Sequence, residues 1–267
     1  MLLSAVILSF NAQRTLADCL SATYSAMQEA ANGEPFEIFV VENGSRDNSP
    51  QILQGFVDRY PNEVKQIVLP ENTGTTVSRN MALKQATGDF VLVLDADAYI
   101  TASTIDELKR TLANPLVGIA APRLSYRDGR FQMSVDQIPT LFRKIARFLW
   151  LKRMEKGVDT SAVVSGNVDY AISACWMFRR SMLKKTGLFD EKIFYSPEDV
   201  DFCLQVWRAG YMVFYCTEAS AIHDAQELSR GWKLNKFHFS HLKGLFYLMM
   251  KHRFVSRDAL MSRFKEL

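Results

Sequence analysis

Short apolar runs alternate with helix-period segments through the first half of the chain, and this alternation limits the possible folds more than any other feature. The apolar runs predict buried strands at Leu3–Ser9, Phe36–Val41, Val64–Leu69, Phe90–Leu94 and Val117–Leu124. The segments between them predict helices at Thr15–Ala31, Ser49–Arg59, Thr75–Thr87 and Ser103–Asn114. Continuous apolar strands joined by helices form largely parallel sheets covered by helices. The pattern therefore predicts an α/β fold with a Rossmann-like beginning.

The parallel pattern is interrupted in the middle of the chain. Asp128-Gly129 lies between two strand-like runs and predicts a hairpin with a type I′ turn. The later segments predict a basic amphipathic stretch at Pro139–Lys156 and a mixed strand region at Val168–Phe178. They also predict a helix at Glu198–Ala209, ended by Gly210, and one more strand at Met212–Cys216. From Ser229 onward the sequence is predicted to be helical and basic. We expect a main domain over residues 1–228, with halves of about 1–114 and 115–228, and a helical segment over 229–267.

Composition excludes several classes of protein. With 267 residues, 48% of them hydrophobic and 23% charged, the chain can bury one sizeable core. A net charge of +3 is too weak to indicate a nucleic acid partner. The four cysteines form no Cys-x-x-Cys pair, which argues against zinc and disulfide scaffolds and favours the reducing cytoplasm. No apolar run approaches the length of a membrane-spanning helix, so any membrane contact is expected to be peripheral.

The fourth predicted strand ends in two carboxylates, Asp95 and Asp97. Ligands of open α/β sheets bind at the carboxyl ends of the strands. Two acids at such a place repel each other unless a cation lies between them, and Mg²⁺ and Mn²⁺ take oxygen ligands and bridge to diphosphates. The pair therefore indicates a metal and phosphate site, with a solvated loop as the alternative.

Three further segments resemble family 2 glycosyltransferases, in the order and at about the spacing of that family. They are Val40 to Asp47, Glu71 to Asn80, and Gly187 to Asp190 leading to Glu198-Asp199-Val200-Asp201. With Asp95-Ala96-Asp97, the resemblance covers about Ala5 to His223. It implies a GT-A fold, a mixed sheet flanked by helices, and the inverting transfer of a sugar from a UDP- or dTDP-type donor to an acceptor hydroxyl.

The last part of this pattern is most similar to a subset of the family. Arg208-Ala209-Gly210-Tyr211, followed by His223, resembles enzymes that build bacterial surface polysaccharides, rhamnosyltransferases among them. The resemblance implies that residues 1–228 form the catalytic domain, with the nucleotide bound by the first half and the acceptor by the second. It also implies a glycan or lipid-linked acceptor.

The resemblance assigns a group of residues to the nucleotide-sugar donor. Glu42 and Asn43 face the base, and the family more often has Asp at the position of Glu42. Gly74 allows the backbone to approach the ligand closely, although an ordinary turn is the alternative. Arg79 offers positive charge to a phosphate, with a surface helix residue as the alternative. The other residues on the donor side are Ser9, Phe10, Asn11, Asp47 and Asn80.

The resemblance also implies a divalent metal, Mg²⁺ or Mn²⁺, and the residues that hold it. Asp97 is the principal ligand, and Asp95 contacts the ribose or the metal. His223 occupies the place of a third ligand, with a structural histidine as the alternative. Trp176 is a candidate for stacking on a sugar, although aromatic residues in such an apolar run are more often part of the core.

Inverting transfer needs one carboxylate to take the proton of the acceptor hydroxyl. We choose Asp199 for this general base, with Glu198 and Asp201 as competitors. Carboxylates at the start of a helix also stabilise the helix dipole, which is the alternative interpretation of all three.

Two segments combine basic and apolar residues at helical spacing, Pro139–Lys156 and the C-terminal segment. This composition is typical of helices that lie on anionic membranes. We expect a peripheral location at the inner face of the cell membrane, with Lys243, Lys251 and Arg253 towards lipid. The alternative is that these helices pack on their own domain.

Two other functions are compatible with parts of the pattern. A sugar nucleotidyltransferase shares the α/β layout and the metal carboxylates, but it requires a glycine-rich loop after the first strand, and Ser9–Arg14 contains no glycine. A non-catalytic sugar-nucleotide-binding protein is the second alternative. The joint presence of Asp95, Asp97 and the Glu198-Asp199 pair favours an enzyme over that alternative.

Overall fold

The computed structural model of the chain describes residues 2–138, 163–225, 236–254 and 256–265, with the backbone alone for 236–242 and 265. The predicted basic stretch Pro139–Lys156 lies outside the described residues. Among the helices that are described, none is both long enough and apolar enough to cross a bilayer.

The N-terminal residues form four parallel strands in the order β3-β2-β1-β4, as the apolar runs predict. The strands are β1 (Leu3–Ser9), β2 (Phe36–Asn43), β3 (Val64–Leu69) and β4 (Phe90–Asp95). The helices that connect them are α1 (Leu16–Ala31), α2 (Ser49–Arg59) and α3 (Thr75–Leu83). Ser9 pairs with Glu42, and Leu8 pairs with Asp95, so the carboxyl ends of β1, β2 and β4 lie side by side.

Helix α3 ends at Leu83, earlier than the predicted Thr87. The N–H groups of Lys84 and Ala86 still donate to carbonyls four residues earlier, but Thr87 and Gly88 are held by buried polar side chains instead. The backbone N–H and the hydroxyl of Thr87 both donate to Glu37, and the N–H of Gly88 donates to Ser4. These long-range bonds turn the chain into β4, and a pattern based on helical spacing does not detect them.

The second half adds antiparallel strands, so the sheet is mixed. Its order continues as β4-β11-β6-β12-β5, with β11 antiparallel to both neighbours and β12 parallel to β6. The strands and helices are β5 (Ala98–Tyr99), α4 (Ala102–Leu112), β6 (Val117–Ser125), β7 (Phe131–Gln132), β8 (Val135–Asp136), β9 (Gly166–Asn167), β10 (Tyr170–Ala171), β11 (Cys175–Arg179), α5 (Leu183–Thr186), α6 (Glu198–Arg208) and β12 (Met212–His223).

The predicted hairpin exists, but its turn is of another type. Strands β6 and β7 pair through Leu124 with Gln132, and the N–H of Tyr126 donates to the carbonyl of Arg130. This bond closes a three-residue loop in which Gly129 alone has a positive φ, of 82°. A type I′ turn needs positive φ at both central residues, so the prediction of that turn was wrong.

Strand β12 continues to His223, well beyond the predicted end at Cys216. Its second part alternates strictly, with Glu218, Ser220 and Ile222 exposed and the residues between them buried. The prediction stopped where the continuous apolar run stopped, because a strand with one exposed face contains polar residues at every second position.

Two apolar layers cover the faces of the sheet. Leu92 and Leu94 of β4 lie in the layer formed with α1 and α4, whereas Val91 and Val93 lie in the layer formed with α3 and α6. Successive strand residues point to opposite faces, so one strand serves both layers.

The C-terminal segment packs against the second layer through two helices. These are α7 (Lys236–His252) and α8 (Arg257–Lys265). Leu245, Leu248, Phe254 and Leu260 are buried in the same cluster as Phe202 of α6. The inner faces of these helices therefore belong to the core of the main domain, which is the alternative that the sequence left open.

Candidate active site

Two carboxylates and an imidazole meet where β4 and β12 end. The Nε2 atom of His223 lies 3.3 Å from Oδ1 of Asp97 and 3.9 Å from Oδ2 of Asp95. One ligand atom from each of the three residues falls within 4.8 Å of the others. Strand β12 brings the histidine there, because His223 pairs with Ala98 directly after Asp97. These oxygen and nitrogen donors suit a divalent cation, as the resemblance implies.

Gln132 determines which nitrogen of His223 faces the carboxylates. Its buried Oε1 lies 3.0 Å from Nδ1 of His223. With the proton on Nδ1, the ring donates to Gln132 and leaves the lone pair of Nε2 for a cation, which is the usual arrangement of a metal-binding histidine. Gln132 was not predicted from the sequence, because it belongs to a two-residue strand without a motif.

Negative charge dominates the electrostatics of the three groups. The pKa of Asp95 is raised, because burial and the charge of Asp97 together outweigh the attraction of Arg79. Burial lowers the pKa of His223, but the hydrogen bond and the negative charge of Asp97 outweigh this effect, so that pKa is raised above 6.5. The carboxylates therefore favour an added proton or cation.

Arg79 links the metal carboxylates to the acidic end of α6. Its guanidinium lies 2.5 Å from Asp95 and 3.7 Å from Glu198, and it donates to the hydroxyl of Ser173 at 2.7 Å. Arg79 is only 1% exposed. It is therefore not a surface helix residue, and its guanidinium is not accessible for direct contact with a phosphate. The charge of Arg79 is instead paired with Asp95, whose side chain is 35% exposed, and this corrects the sequence prediction.

The three acidic residues at the start of α6 have different surroundings. Glu198 is buried beside Arg79 and accepts from Ser173 at 3.3 Å. Asp199 is half-buried, and its carboxylate accepts from the N–H of Val200. Asp201 is 1% exposed and is bound to the C-terminal helix α7. Asp201 is therefore inaccessible to an acceptor, and the choice of base is reduced to Glu198 and Asp199.

The protonation of Glu198 separates these two candidates. Burial and then the charge of Asp199 raise the pKa of Glu198 from 4.5 to about 8, against the attraction of Arg79. Glu198 thus holds its proton at neutral pH, whereas a general base must be ionised. This difference favours Asp199.

Glu42 and Asn43 end β2, which β1 separates from the strand of Asp95, and both are buried and engaged. The carboxylate of Glu42 accepts from the N–H of Ser45 at 2.9 Å. Asn43 accepts from the N–H of Thr73 at 2.9 Å and so ties β2 to the turn before α3. Gly74 in that turn has a φ of 88°, and a Cβ there would lie 2.4 Å from the carbonyl oxygen of Phe194. Only glycine fits this position.

The residues after β1 and β2 form a loop pair joined by side chains. Asn11 has a φ of 49° and accepts from the N–H of Arg46. Asp47 accepts from the N–H of Gln13 at 3.0 Å. Phe10 is 43% exposed next to this pair, whereas Ser9 is fully buried, and its hydroxyl has no hydrogen-bond partner among the described residues. Phe10 and Asn11 are thus the accessible members of the predicted nucleotide pocket at the end of β1.

Two predicted ligand residues lie away from solvent. Trp176 is fully buried and stacks with Phe202 and Phe189, so its faces are not available to a sugar, and the core interpretation is the right one. Asn80 exchanges hydrogen bonds with the backbone of Phe189 and donates to Glu191. Its amide holds the segment before α6, and it does not face the nucleotide side.

The sequence analysis overlooked two exposed aromatic residues directly before the acidic helix. Phe194 is 56% exposed and Tyr195 is 51% exposed. Large exposed aromatic rings next to an acidic site are the signal that could have identified them.

Comparisons with known proteins identify the family of the chain. The model of Glycosyl transferase family 2 matches residues 4–187. An N-acetylglucosaminyl-diphospho-decaprenol L-rhamnosyltransferase of Mycobacterium tuberculosis is 27% identical over 219 residues, covering 75% of this chain and 70% of that protein. A pre-mycofactocin glycosyltransferase of the same organism is 28% identical over 202 residues, covering 74% of this chain and 40% of that protein.

Solved structures share the fold at lower sequence identity. A mannosyltransferase of Pyrobaculum calidifontis, in complex with GDP-Man and Mn²⁺, has a TM-score of 0.63 at 18% identity. GalNAc-T7, with UDP, GalNAc and Mn²⁺, has a TM-score of 0.68 at 14% identity. The matches cover 93% of this chain, but 64% and 47% of those chains. The predicted GT-A fold is confirmed, and because the family match spans well over half of the chain, the chain belongs to glycosyl transferase family 2.

Proposed function

We propose that this protein is a metal-dependent, inverting glycosyltransferase that moves a sugar from a UDP- or dTDP-type donor to a hydroxyl of a glycan or lipid-linked acceptor. The observation that carries the proposal is the Asp95, Asp97 and His223 cluster, which Arg79 connects to Glu198. A donor site and a proton acceptor thus lie at one edge of the sheet. The similarity to the mycobacterial rhamnosyltransferase supports a role in bacterial cell-surface polysaccharide synthesis.

The two sides of the site have separate tasks in this proposal. Residues 1–114 bind the nucleotide and 115–228 bind the acceptor. Asp97, Asp95 and His223 would hold Mg²⁺ or Mn²⁺, which would supply positive charge beside the diphosphate of the donor. Asp199 takes the proton of the acceptor hydroxyl. Glu198 stays protonated and Asp201 stays bound to α7, which leaves Asp199 as the base at the start of α6.

Contact with an anionic membrane is the second element of the proposal. On the outward face of α7, Phe246 is 65% exposed and Met250 is 63% exposed, with Lys243 and Arg253 exposed on either side of them. Apolar side chains flanked by basic ones are typical of helices at lipid surfaces. The prediction that Lys251 faces lipid is wrong, because its ammonium group is bound between Asp190 and Asp201. We propose that this face rests on the inner leaflet.

A donor screen tests the proposal most directly. UDP-, dTDP- and GDP-sugars are supplied with Mg²⁺, Mn²⁺ or chelator, and release of the nucleoside diphosphate is measured with and without an acceptor glycoside. We expect one donor class to be consumed only when metal is present. Metal-dependent donor binding without any consumption would instead indicate a non-catalytic binding protein. Equal consumption in chelator would contradict the metal assignment.

A further inference from the structure

The C-terminal helix α7 touches the chain directly before the acidic helix α6. Gly244 of α7 packs backbone to backbone on this segment: a Cβ at Gly244 would lie 2.5 Å from the carbonyl oxygen of Ser196 and 2.6 Å from Cδ of Pro197. Contacts this short leave no room for any side chain. The position of α7 and that of the residues leading to Glu198 and Asp199 are therefore coupled.

Lys251 joins the two ends of the same segment. Its ammonium group lies 2.7 Å from Asp190, before the segment, and 2.8 Å from Asp201, inside α6. Tyr247, one helical turn earlier on α7, donates its hydroxyl to Asp190 at 2.8 Å. His252 contacts the other oxygen of Asp201 at 2.8 Å. One face of α7 thus binds both aspartates that bracket the catalytic carboxylates.

These bonds are made where water is scarce. The side chain of Asp201 is 1% exposed, that of His252 is 2% exposed, and those of Asp190 and Lys251 are 17% and 25% exposed. Charge-assisted hydrogen bonds in such surroundings are short and directional, and removal of one partner leaves the other uncompensated. They hold the start of α6 in one orientation more firmly than an exposed ion pair holds its partners.

On its other side, the segment is bound to the donor half. The N–H of Thr75 donates to the carbonyl of Phe194 at 2.7 Å, and the hydroxyl of Thr76 donates to the carbonyl of Ile193 at 2.6 Å. Both threonines open α3, directly after Gly74. The segment that leads to α6 is therefore fixed between α3 and α7, and its distance from the donor site depends on both contacts.

We propose that Lys251 is a positioning residue for the transfer reaction: through Asp190 and Asp201 it holds the start of α6, and with it Asp199, in place relative to the donor. The inference rests on the proposed function of Asp199. It assigns the C-terminal segment to the catalytic machinery and not to membrane contact alone. A base that is displaced by about 1 Å loses up to about 100-fold in rate, whereas donor binding is made by other elements and is unchanged.

The test uses the full chain with three substitutions around the network and one control. Lys251→Met removes the charge, Lys251→Arg restores it, and Tyr247→Phe removes only one hydrogen bond to Asp190. Lys184→Met on the exposed side of α5 removes a lysine that has no part in the network. Donor consumption gives kcat and KM, calorimetry gives the affinity for UDP with Mn²⁺, and hydrogen exchange reports on the amides of α6.

We expect kcat of Lys251→Met to fall by about tenfold to 100-fold. Its KM for the donor and its affinity for UDP stay within about twofold of the wild-type values. Lys251→Arg recovers most of the rate, and Lys184→Met equals the wild type. The first-turn amides of α6 exchange faster in Lys251→Met and, to a smaller extent, in Tyr247→Phe, which also lowers kcat less than Lys251→Met does. Unchanged kcat and exchange in Lys251→Met would overturn the proposal. Equal loss of UDP affinity and rate would also overturn it, since that indicates a general structural role.

The outcome for this residue is separable from that of the proposed function. If the wild type consumes no donor, hydrogen exchange in α6 and UDP affinity still decide whether Lys251 holds the helix independently of the nucleotide site. If Lys251→Met does not fold, Tyr247→Phe and Lys251→Arg carry the test. In that case a normal rate and normal exchange in Tyr247→Phe would overturn the proposal.

Discussion

The substitution Glu198→Gln is expected to remove a pH dependence from the stability of the protein. The carboxyl of Glu198 is 8% exposed, and its burial raises its pKa from 4.5 to about 8, helped by the charge of Asp199 and opposed by Arg79. Between these pH values the folded chain holds a proton on Glu198 that the unfolded chain has released. The amide of the variant neither gains nor loses a proton and still accepts from Ser173.

The sign and size of the effect follow from proton linkage. The stabilisation that Glu198 provides in its protonated form is fully present below pH 4.5 and is lost as the pH rises through about 8. Over that range the free energy of unfolding of the wild type falls, relative to the variant, by at most about 1.4 kcal/mol for each pH unit. Above pH 8 the difference between the two proteins becomes constant.

Urea unfolding of both proteins in chelator, at several pH values between about 5 and 9, measures this difference. The expected result is a stability curve for the wild type that falls towards high pH while the curve of the variant does not share this fall. Parallel curves would refute the reasoning, because Glu198 would then be ionised at neutral pH. It would again compete with Asp199 for the role of base.

Four further outcomes are expected. Asp97→Asn abolishes the Mg²⁺ or Mn²⁺ dependence of UDP binding in calorimetry, because the remaining ligands hold the cation weakly; unchanged dependence would exclude Asp97 as a ligand. Gln132→Leu lowers metal affinity about 10- to 100-fold in a metal titration. Asp199→Asn stops transfer while donor affinity stays within about threefold, since a base acts mainly in the transition state. The pair Phe246→Ser and Met250→Ser weakens co-sedimentation with anionic vesicles in both low and high salt, whereas salt alone removes only the part due to Lys and Arg.

Much of the fold could be predicted, because local patterns decide it. Strands β1 and β3 and helix α2 have the predicted bounds, since local apolar spacing and the residues at their ends determine them. The predictions were less accurate where a polar residue interacts over a long distance. Glu37, for example, binds Thr87, the residue at which α3 was predicted to end. A second error arose at β12, where polar residues on the exposed face hid the second part of the strand from a search for apolar runs.

The candidate site was predictable in its residue types more than in its geometry. The position of Asp95 and Asp97 at a strand end was correct, and His223 does lie beside them. Arg79 and Trp176 were assigned to ligands, yet both are buried. A residue type and its spacing show which chemistry is available, but burial depends on which other elements cover the residue, and a local pattern does not contain that information.

The sequence by itself determined the α/β class, the parallel start of the sheet and the strand end that carries the acids, because these depend on neighbours within one or two turns of the chain. Only the tertiary structure decided that His223 faces Asp97, that Arg79 neutralises Asp95, and that Lys251 binds Asp190 and Asp201 and does not face lipid. The physical reason is distance along the chain: each of these contacts joins groups that are far apart in sequence, and it forms only when the sheet and its covering helices bring them together.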